Sequence, residues 1–175
     1  MAFGRKEFSF PVVMGDESIM KPKEHGTSST PVQKNLRFQV DRSKADSICN
    51  FNRHYAEHSG YFLSTQFLNE AKAAEKRGDQ MKFFDSNTGA LLFLAPVGRT
   101  MDEFIAESRA HGWPSFRDDE VNWEYVRVLK DGETVSVDGT HLGHNLPDRK
   151  NRYCINLVSV AGRPKDENGN IKSDL

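Results

Sequence analysis

Six side chains that can take part in catalysis lie close together in one segment, residues 140–156. They are His141, His144, Asp148, Arg152, Cys154 and Asn156. Gly143 and Pro147 disfavour a helix at this point, so the segment can fold over the strand that follows it. We therefore expect these groups to meet around one thiol.

The residues next to this thiol alternate as they would on a β-strand. Arg152, Cys154 and Asn156 are two positions apart, so a strand places all three on one face. A guanidinium beside a thiol favours the thiolate through charge pairing. We therefore expect Cys154 to be ionised at neutral pH, although a buried and inert thiol is the usual state of a cysteine.

The two histidines of the segment have three possible roles. Imidazole titrates near neutral pH, so His141 and His144 suit acid/base catalysis beside Cys154, which is the interpretation that we favour. A metal site needs a third and a fourth ligand, and Asp148 is the only close candidate. The third possibility is a solvated surface loop without chemistry.

A second unusual stretch is Gly-Trp-Pro-Ser-Phe at residues 112–116. Its tryptophan, Trp113, is held between a glycine and a proline at the predicted end of a helix. Such a side chain belongs either to the hydrophobic core or to the rigid wall of a small apolar pocket.

Two helices and a hairpin are predicted before this stretch. One helix ends near Gly78 and has an apolar side formed by Phe62, Phe67, Leu68 and Ala71. The ranges 81–84 and 91–94 flank a turn at 86–89 and predict a hairpin. Thr100 and Glu103 have the spacing of a capping box, so a short helix begins there and ends at Gly112.

The rest of the chain predicts strands. Val126 and Val128 alternate before Asp131-Gly132, and Val135 and Val137 alternate after it, as in a second hairpin. A last strand is predicted over 153–160. Short antiparallel strands with a few short helices indicate a mainly β, or α+β, fold.

Composition sets the domain limits. Residues 1–35 are rich in Gly, Ser, Thr, Pro and charge and predict a flexible N-terminal arm; 36–162 form the folded domain, and the polar end, 163–175, predicts a disordered tail. The formal net charge of -1 gives no basic field for nucleic acid or anionic lipid. The longest apolar run, 90–96, is too short to span a bilayer. We expect a cytoplasmic protein, with an organellar location as the alternative, and a monomer.

Four blocks of the chain together resemble one known family. Gly-Trp-Pro-Ser-Phe at 112–116, His-Leu-Gly-His at 141–144, Pro-Asp at 147–148 and Arg-Tyr-Cys-Ile-Asn at 152–156 are similar, in the same order, to the signature of methionine-R-sulfoxide reductases. The resemblance covers about residues 82–161. It implies a β-tent of antiparallel strands and reduction of the R epimer of methionine sulfoxide in the repair of oxidised proteins.

The resemblance also implies a role for each residue. Cys154 attacks the sulfoxide sulfur and becomes a sulfenic acid, and Trp113, with Phe116 in the same block, forms the pocket for the substrate's methyl group. His141, His144 and Asn156 surround the sulfoxide oxygen. Asp148 orients His144, and Arg152 lowers the pKa of the thiol. The implied partners are oxidised methionine in peptides or proteins and a thiol reductant.

The chain departs from the family at its metal site. Many members hold structural zinc with two Cys-x-x-Cys pairs, and the aligned positions here are Asp85, Thr88, Val135 and Asp138. Two aspartates make a poor zinc site, so we expect no metal and no other cofactor, with the hairpins held by packing.

The chain also departs from the family at the residue that would resolve the oxidised thiol and at a residue next to the expected pocket. The family's resolving cysteine lies two residues before the tryptophan, where this chain has His111. A sulfenic acid on Cys154 then has to be resolved by Cys49, which is otherwise a bystander, or by an external thiol such as thioredoxin or glutathione. Leu157 replaces the small residue common after the asparagine and narrows the expected pocket.

Two other functions compete with the reductase. One is a ligand-binding module on the same fold, with the aromatic pocket around Trp113 and a vestigial Cys154. The other is a hydrolase or acyl transferase that uses Cys154 with His144 and Asp148. We favour the reductase because a pure binding module does not need a thiol flanked by Arg152.

Overall fold

The computed structural model describes residues 10–147 and 150–172, which form a mixed α/β fold with two antiparallel sheets. The helices are α1 (Arg42–Asp46), α2 (Phe67–Arg77) and α3 (Met101–His111). The strands are β1 (Met81–Phe84), β2 (Leu91–Ala95), β3 (Ser115–Phe116), β4 (Val126–Val128), β5 (Glu133–Ser136), β6 (His141–Asn145) and β7 (Tyr153–Ile155). Single helical turns connect several of them. The prediction of antiparallel strands with a few short helices is confirmed at this level.

The larger sheet positions the thiol. Its five strands follow the order β3-β7-β6-β5-β4, and every neighbouring pair is antiparallel. Cys154 on β7 lies opposite Ser115 of β3 on one side and opposite His144 of β6 on the other. Opposed residues in a sheet have adjacent side chains, so the register itself brings a hydroxyl and an imidazole next to the thiol.

Both predicted hairpins are present. The first pairs β1 with β2, and the second pairs β4 with β5 through a turn at Asp131-Gly132. The second hairpin reaches Val137 through one further bond, from its N–H to the carbonyl of Tyr125 at 2.9 Å, but Val137 is not part of β5. β5 ends at Ser136, whose N–H bonds to the carbonyl of Thr140 at 3.0 Å, so the chain turns there towards β6 and leaves Val137 exposed.

Most of the helix boundaries predicted from the sequence are confirmed. Thr100 and Glu103 form both hydrogen bonds of the capping box at the start of α3, and Gly112 ends this helix with a positive φ of 91°. The earlier helix, α2, ends at Gly78 as predicted. Phe62, however, lies in a separate helical turn before α2 begins.

The last strand is shorter than predicted. β7 ends at Ile155, and the chain then forms a 3₁₀ turn over Leu157–Ser159. The N–H groups at the start of this turn bond to the carboxylate of Glu57 and not to a neighbouring strand. A distant side chain therefore decides where the strand stops.

The core is a cluster of phenylalanine rings between the two sheets and helices α2 and α3. Its most buried rings include Phe62, Phe67, Phe83, Phe93, Phe104 and Phe116. Phe93 and Phe116 stack with their centroids 4.3 Å apart, and Phe104 of α3 packs on Phe116 at 5.5 Å. Helix α3 thus contributes directly to the packing that holds β3 in place.

The N-terminal segment is not a loose arm over the part that the structure describes. Met20 is buried against the second hairpin, and Ser28 is fully buried. The hydroxyl of Thr27 donates to the carbonyl of Gly139 at 2.7 Å. Polar composition suggested disorder, but these polar groups find partners in distant parts of the chain.

The C-terminal segment also has local structure. The N–H of Asp166 bonds to the carbonyl of Asn170 at 2.7 Å, and Lys165 pairs with Ile171. The N–H of Arg163 donates to the side chain of Gln33 at 2.8 Å. Residues 163–172 therefore form a turn that is joined to the N-terminal segment, in contrast to the disordered tail that we expected.

Candidate functional site

A cavity of about 330 Å³ opens beside β5, β6 and β7. Segment 52–58, which we call the rim segment, contributes one side of it. The cavity is lined by Arg53, His54, Tyr55, Ala56, Trp113, Asp131, Glu133, His141, Gly143, His144, Leu146, Cys154 and Asn156. Five residues predicted from the sequence, namely Trp113, His141, His144, Cys154 and Asn156, are thus brought together around one space.

The predicted neighbour of the thiol is in contact with it. Nη1 of Arg152 lies 2.6 Å from Sγ of Cys154, and Oγ of Ser115 lies 3.9 Å from the same sulfur. Burial nevertheless raises the pKa of the Cys154 thiol above its ordinary value, although Arg152 and Ser115 both act to lower it. The expectation that this thiol is ionised at neutral pH is therefore wrong for the resting site, because desolvation outweighs the guanidinium.

Gly143 is required for this arrangement of β6 and β7. A Cβ atom at this position would lie 2.0 Å from the backbone oxygen of Cys154. Only glycine lets the two strands approach this closely, and the cavity wall between His144 and Cys154 depends on that approach.

His141 is held by a carboxylate that the sequence did not suggest. Its Nδ1 lies 2.8 Å from Oε2 of Glu133, and both side chains are almost fully buried. Nε of Arg53 lies 3.1 Å from Oε1 of the same carboxylate. Burial acts to raise the pKa of Glu133, but the hydrogen bonds from His141 and Arg53 lower it below its ordinary value. An ionised Glu133 fixes the proton of His141 on Nδ1 and leaves Nε2 for chemistry.

Trp113 is fixed by backbone contacts on both sides. Its Nε1 donates to the carbonyl of Glu57 at 2.9 Å. The preceding residue, Gly112, has no room for a side chain, since a Cβ there would lie 1.9 Å from Oγ of Ser59. The rim segment, together with Ser59 just after it, therefore meets the end of α3 closely, and the indole is held as one wall of the cavity.

Asn156 is tied into the wall by both ends of its amide. Its Oδ1 accepts from the N–H of Glu57 at 3.0 Å, and its Nδ2 donates to the carbonyl of Leu142 at 3.0 Å. A primary amide can accept and donate one further bond each. Asn156 therefore supports the site structurally and has only this remaining capacity for a ligand.

Among the described residues, three of those predicted for the site do not line the cavity: Phe116, Cys49 and Arg152, which contacts Cys154 without lining the space. Phe116 is fully buried in the phenylalanine cluster, so it supports β3 and does not form the pocket. Cys49 is fully buried in another cluster with Ile48 and Val158, and burial raises the pKa of its thiol well above the ordinary value. Both cysteines are free. Asp148 lies outside the described residues.

Two of the four positions aligned with zinc ligands, Asp85 and Asp138, accept hydrogen bonds from hydroxyl groups elsewhere in the chain. Oγ1 of Thr140 donates to the carboxylate of Asp85 at 2.9 Å, and Nδ2 of Asn87 lies 2.8 Å from the same hydroxyl. Asp138 accepts from the hydroxyl of Ser29 at 3.0 Å. Across residues 10–147 and 150–172, no group of three or more His, Cys, Asp or Glu side chains is arranged to hold a metal ion.

Comparison with known proteins gives no assignment. No family model, curated protein or solved structure matches this chain. In the described part of the chain, no helix has the length and apolar character needed to cross a membrane. The cavity is therefore the basis for inferring a function.

Two residues that the sequence did not single out support the cavity: Glu133 lines it, and Glu57 bonds to Trp113 and Asn156 in its wall. The sequence did contain a signal for Glu133. The connection between β5 and β6 is short, so the two strands pair, Glu133 lies opposite His144, and the Glu133 carboxylate comes close to the histidines. Glu57 lies 99 positions from Asn156 and 56 from Trp113, and no local pattern in the sequence indicates these contacts.

Proposed function

We propose that this chain reduces methionine-R-sulfoxide to methionine and that Cys154 is the nucleophile. The observation that carries the proposal is one cavity in which a thiol in contact with a guanidinium, an imidazole held by a carboxylate, and an indole face the same space. The two antiparallel sheets are consistent with the β-tent that the sequence resemblance implies, and we include that fold in the proposal.

Each chemical requirement of the reaction has a candidate group in the cavity. A sulfoxide sulfur becomes electrophilic when its oxygen is hydrogen-bonded or protonated, and His141 or His144 supplies that proton. The face of Trp113 provides an apolar surface for the methyl group on the sulfur. Arg152 stabilises the charge on Cys154 as its proton leaves.

The reaction balances without a cofactor. The sulfur of Cys154 attacks the sulfoxide sulfur, the sulfur–oxygen bond of the substrate breaks, and the oxygen ends on Cys154 as a sulfenic acid with the former thiol proton. The substrate sulfur gains two electrons and the cysteine sulfur loses two. A second thiol then condenses with the sulfenic acid to a disulfide and water, and a third thiol releases Cys154.

The second thiol must come from outside the chain in this proposal. Cys49 is fully buried among apolar side chains and does not line the cavity, so it cannot reach the sulfenic acid without local unfolding. We propose a dithiol protein of the thioredoxin type, or glutathione, as the reductant. Such reductants are characteristic of the cytoplasm, which is the location we propose.

The proposal is tested with a peptide that carries either epimer of methionine sulfoxide, in the presence of dithiothreitol. We expect turnover of the R epimer only, loss of turnover in Cys154→Ser, and retention of turnover in the matched control Cys49→Ser. Mass spectrometry after substrate alone should detect sulfenic acid on Cys154. Absence of turnover, with Cys154 unmodified, would reject the reductase.

One observation favours a second candidate, a ligand-binding module that uses the same cavity. The raised pKa of Cys154 is typical of a thiol that is not activated at rest. In this case a methyl sulfoxide or thioether ligand binds against Trp113 and quenches its fluorescence, and Cys154→Ser binds it equally well.

A further inference from the structure

Glu57 makes four hydrogen bonds at the end of the rim segment, where it is only 2% exposed. Its carboxylate accepts from the N–H groups of Leu157 at 2.7 Å and Val158 at 3.1 Å. Its own N–H donates to Oδ1 of Asn156 at 3.0 Å, and its own carbonyl accepts from Nε1 of Trp113 at 2.9 Å. One residue thus joins two members of the cavity wall, Trp113 and Asn156, to the turn after β7.

We propose that Glu57 is a positioning residue that holds the indole of Trp113 and the amide of Asn156 in place beside Cys154. Glu57 itself does not line the cavity and acts through its neighbours. The purpose of this positioning rests on the proposed reductase function, whereas the contacts themselves do not depend on it.

The side chain of Glu57 controls where its backbone lies. The bonds to Trp113 and Asn156 come from the main chain of Glu57, and a main chain in a connecting segment moves unless something anchors it. The carboxylate is that anchor, because it binds two N–H groups at the start of the turn after β7. Its loss would free both backbone bonds together.

The rim segment is attached at its other end by ion pairs. Arg53 contacts the carboxylates of Glu17 and Glu133, and Glu133 in turn holds His141. His54, Tyr55 and Ala56 line the cavity between the two attachment points. Release of the Glu57 end therefore changes the position of one complete side of the cavity, while the histidine side stays fixed.

Burial raises the pKa of Glu57 to about 7. Glu57 interacts electrostatically with Lys44 of α1, Tyr61 and Cys49. Burial also raises the pKa of Tyr61 and Cys49, so neither titrates near neutrality. Protonation of Glu57 replaces an acceptor with a donor beside two N–H groups and weakens the anchor, so the anchor is complete only above about pH 7.

The experiment uses Trp113 as its own reporter. The chain has two tryptophans, so Trp123→Phe leaves Trp113 as the only one. In this background we compare Glu57 with Glu57→Gln at pH 8. We expect emission at longer wavelength and stronger acrylamide quenching in the variant. A misplacement of about 1 Å costs roughly a hundredfold in rate, so kcat/KM should fall about ten- to a hundredfold, mostly in kcat.

Asp46→Asn is the matched control. Asp46 is a half-buried carboxylate that also accepts a backbone N–H, from Val32 at 3.1 Å, and it does not line the cavity. We expect this variant to lose stability and to keep the emission of Trp113 and the value of kcat/KM. If both variants change the emission equally, the effect is general loosening and the positioning role is wrong.

A pH titration of the Trp123→Phe protein itself tests the proposal even if Glu57→Gln does not fold. The emission of Trp113 in the Trp123→Phe background should change with a midpoint near pH 7. Where Glu57→Gln folds, that transition should disappear, while transitions caused by other groups are present in both proteins and cancel in the comparison. An emission that is flat with pH, or unchanged by the substitution, overturns the inference. Lack of reductase turnover in the unsubstituted chain rejects the proposed function only, since the fluorescence result stands without it.

Discussion

Removal of the guanidinium beside Cys154 tests how far Arg152 offsets the effect of burial on the pKa of the thiol. In Arg152→Met the contact of 2.6 Å between Nη1 and Sγ is lost, and an unbranched side chain fills much of the space at a position that is only 7% exposed. Burial already raises the pKa of this thiol, and Arg152 is the largest effect that opposes it. Without Arg152 the pKa must rise further.

The size of the effect follows from the type of contact. A hydrogen bond to a charged group contributes about 1.5–3 kcal/mol. A difference of about 1.4 kcal/mol is a factor of ten in an equilibrium constant. At any pH below the pKa of the thiol, the fraction of Cys154 that is ionised should therefore fall about ten- to a hundredfold in the variant.

The assay is the rate of alkylation by iodoacetamide between pH 7 and 10 in a Cys49→Ala background, in which Cys154 is the only thiol. Because the pKa is raised, the rate should still be increasing at pH 9 in the chain with Arg152. Arg152→Met should react about ten- to a hundredfold more slowly at pH 8, and Arg152→Lys, which keeps the charge, should lie between. Equal rates for the proteins with arginine and with methionine at position 152 would refute the role of this contact. A faster rate in Arg152→Met would mean that access to the sulfur decides its reactivity.

Three further predictions concern stability and the cavity wall. Gly143→Ala should lower the free energy of unfolding in urea by about 3–5 kcal/mol, because the added Cβ would lie 2.0 Å from the backbone oxygen of Cys154. A loss below about 1 kcal/mol would show that β6 and β7 can move apart to accommodate it. Glu133→Gln should lower the free energy of unfolding by about 2 kcal/mol at pH 7. The pKa of Glu133 is lowered in the fold, so its contribution is complete above the unfolded value of about 4.3 and is lost as pH falls through the folded value; equal acid unfolding of both proteins would contradict this. Phe116→Leu should lower the unfolding free energy by about 1 kcal/mol and leave KM unchanged, since this ring lies in the core; a raised KM would return Phe116 to the substrate pocket.

Features that depend on neighbours in the chain could be predicted from the sequence. The capping box needs only Thr100 and Glu103, and its two bonds form as the spacing indicates. The two hairpins follow from alternating apolar residues around short turns. The clustering of His141, His144 and Cys154 belongs to the same class, because two adjacent strands carry all three.

Features that depend on distant residues could not be predicted in this way. The end of β7 is set by Glu57, about a hundred positions earlier in the chain. The N-terminal segment was expected to be loose because its composition is polar, yet the hydroxyl of Thr27 reaches Gly139, 112 positions later. Composition measures how much apolar surface a segment offers, but it does not reveal which polar groups will find partners.

The protonation state of Cys154 depends both on its neighbours in the sequence and on distant parts of the chain. The sequence places Arg152 two positions from Cys154, and the alternation of side chains along an extended chain predicts their contact, although β7 begins only at Tyr153. The pKa also depends on how much of the sulfur is removed from water, which is set by the rim segment, β3 and β6 packing around it. A local argument thus gives the correct partner and the wrong protonation state, because desolvation is a property of the whole site.

A protonated resting thiol is consistent with the proposed reaction. The balanced step needs one proton on the oxygen that leaves the substrate, and the thiol carries that proton itself. His141, with Nδ1 held by Glu133, can accept it from Cys154 at Nε2 and pass it to the sulfoxide oxygen, so the site needs no ionised thiol before substrate binds. Peroxides react mainly with thiolates, so the same protonation should protect Cys154 from oxidation when no substrate is present. Hydrogen peroxide at pH 7 should therefore oxidise Cys154 more slowly than it oxidises the thiol of a small peptide, and an equal or faster rate would mean that the thiol is already ionised at rest.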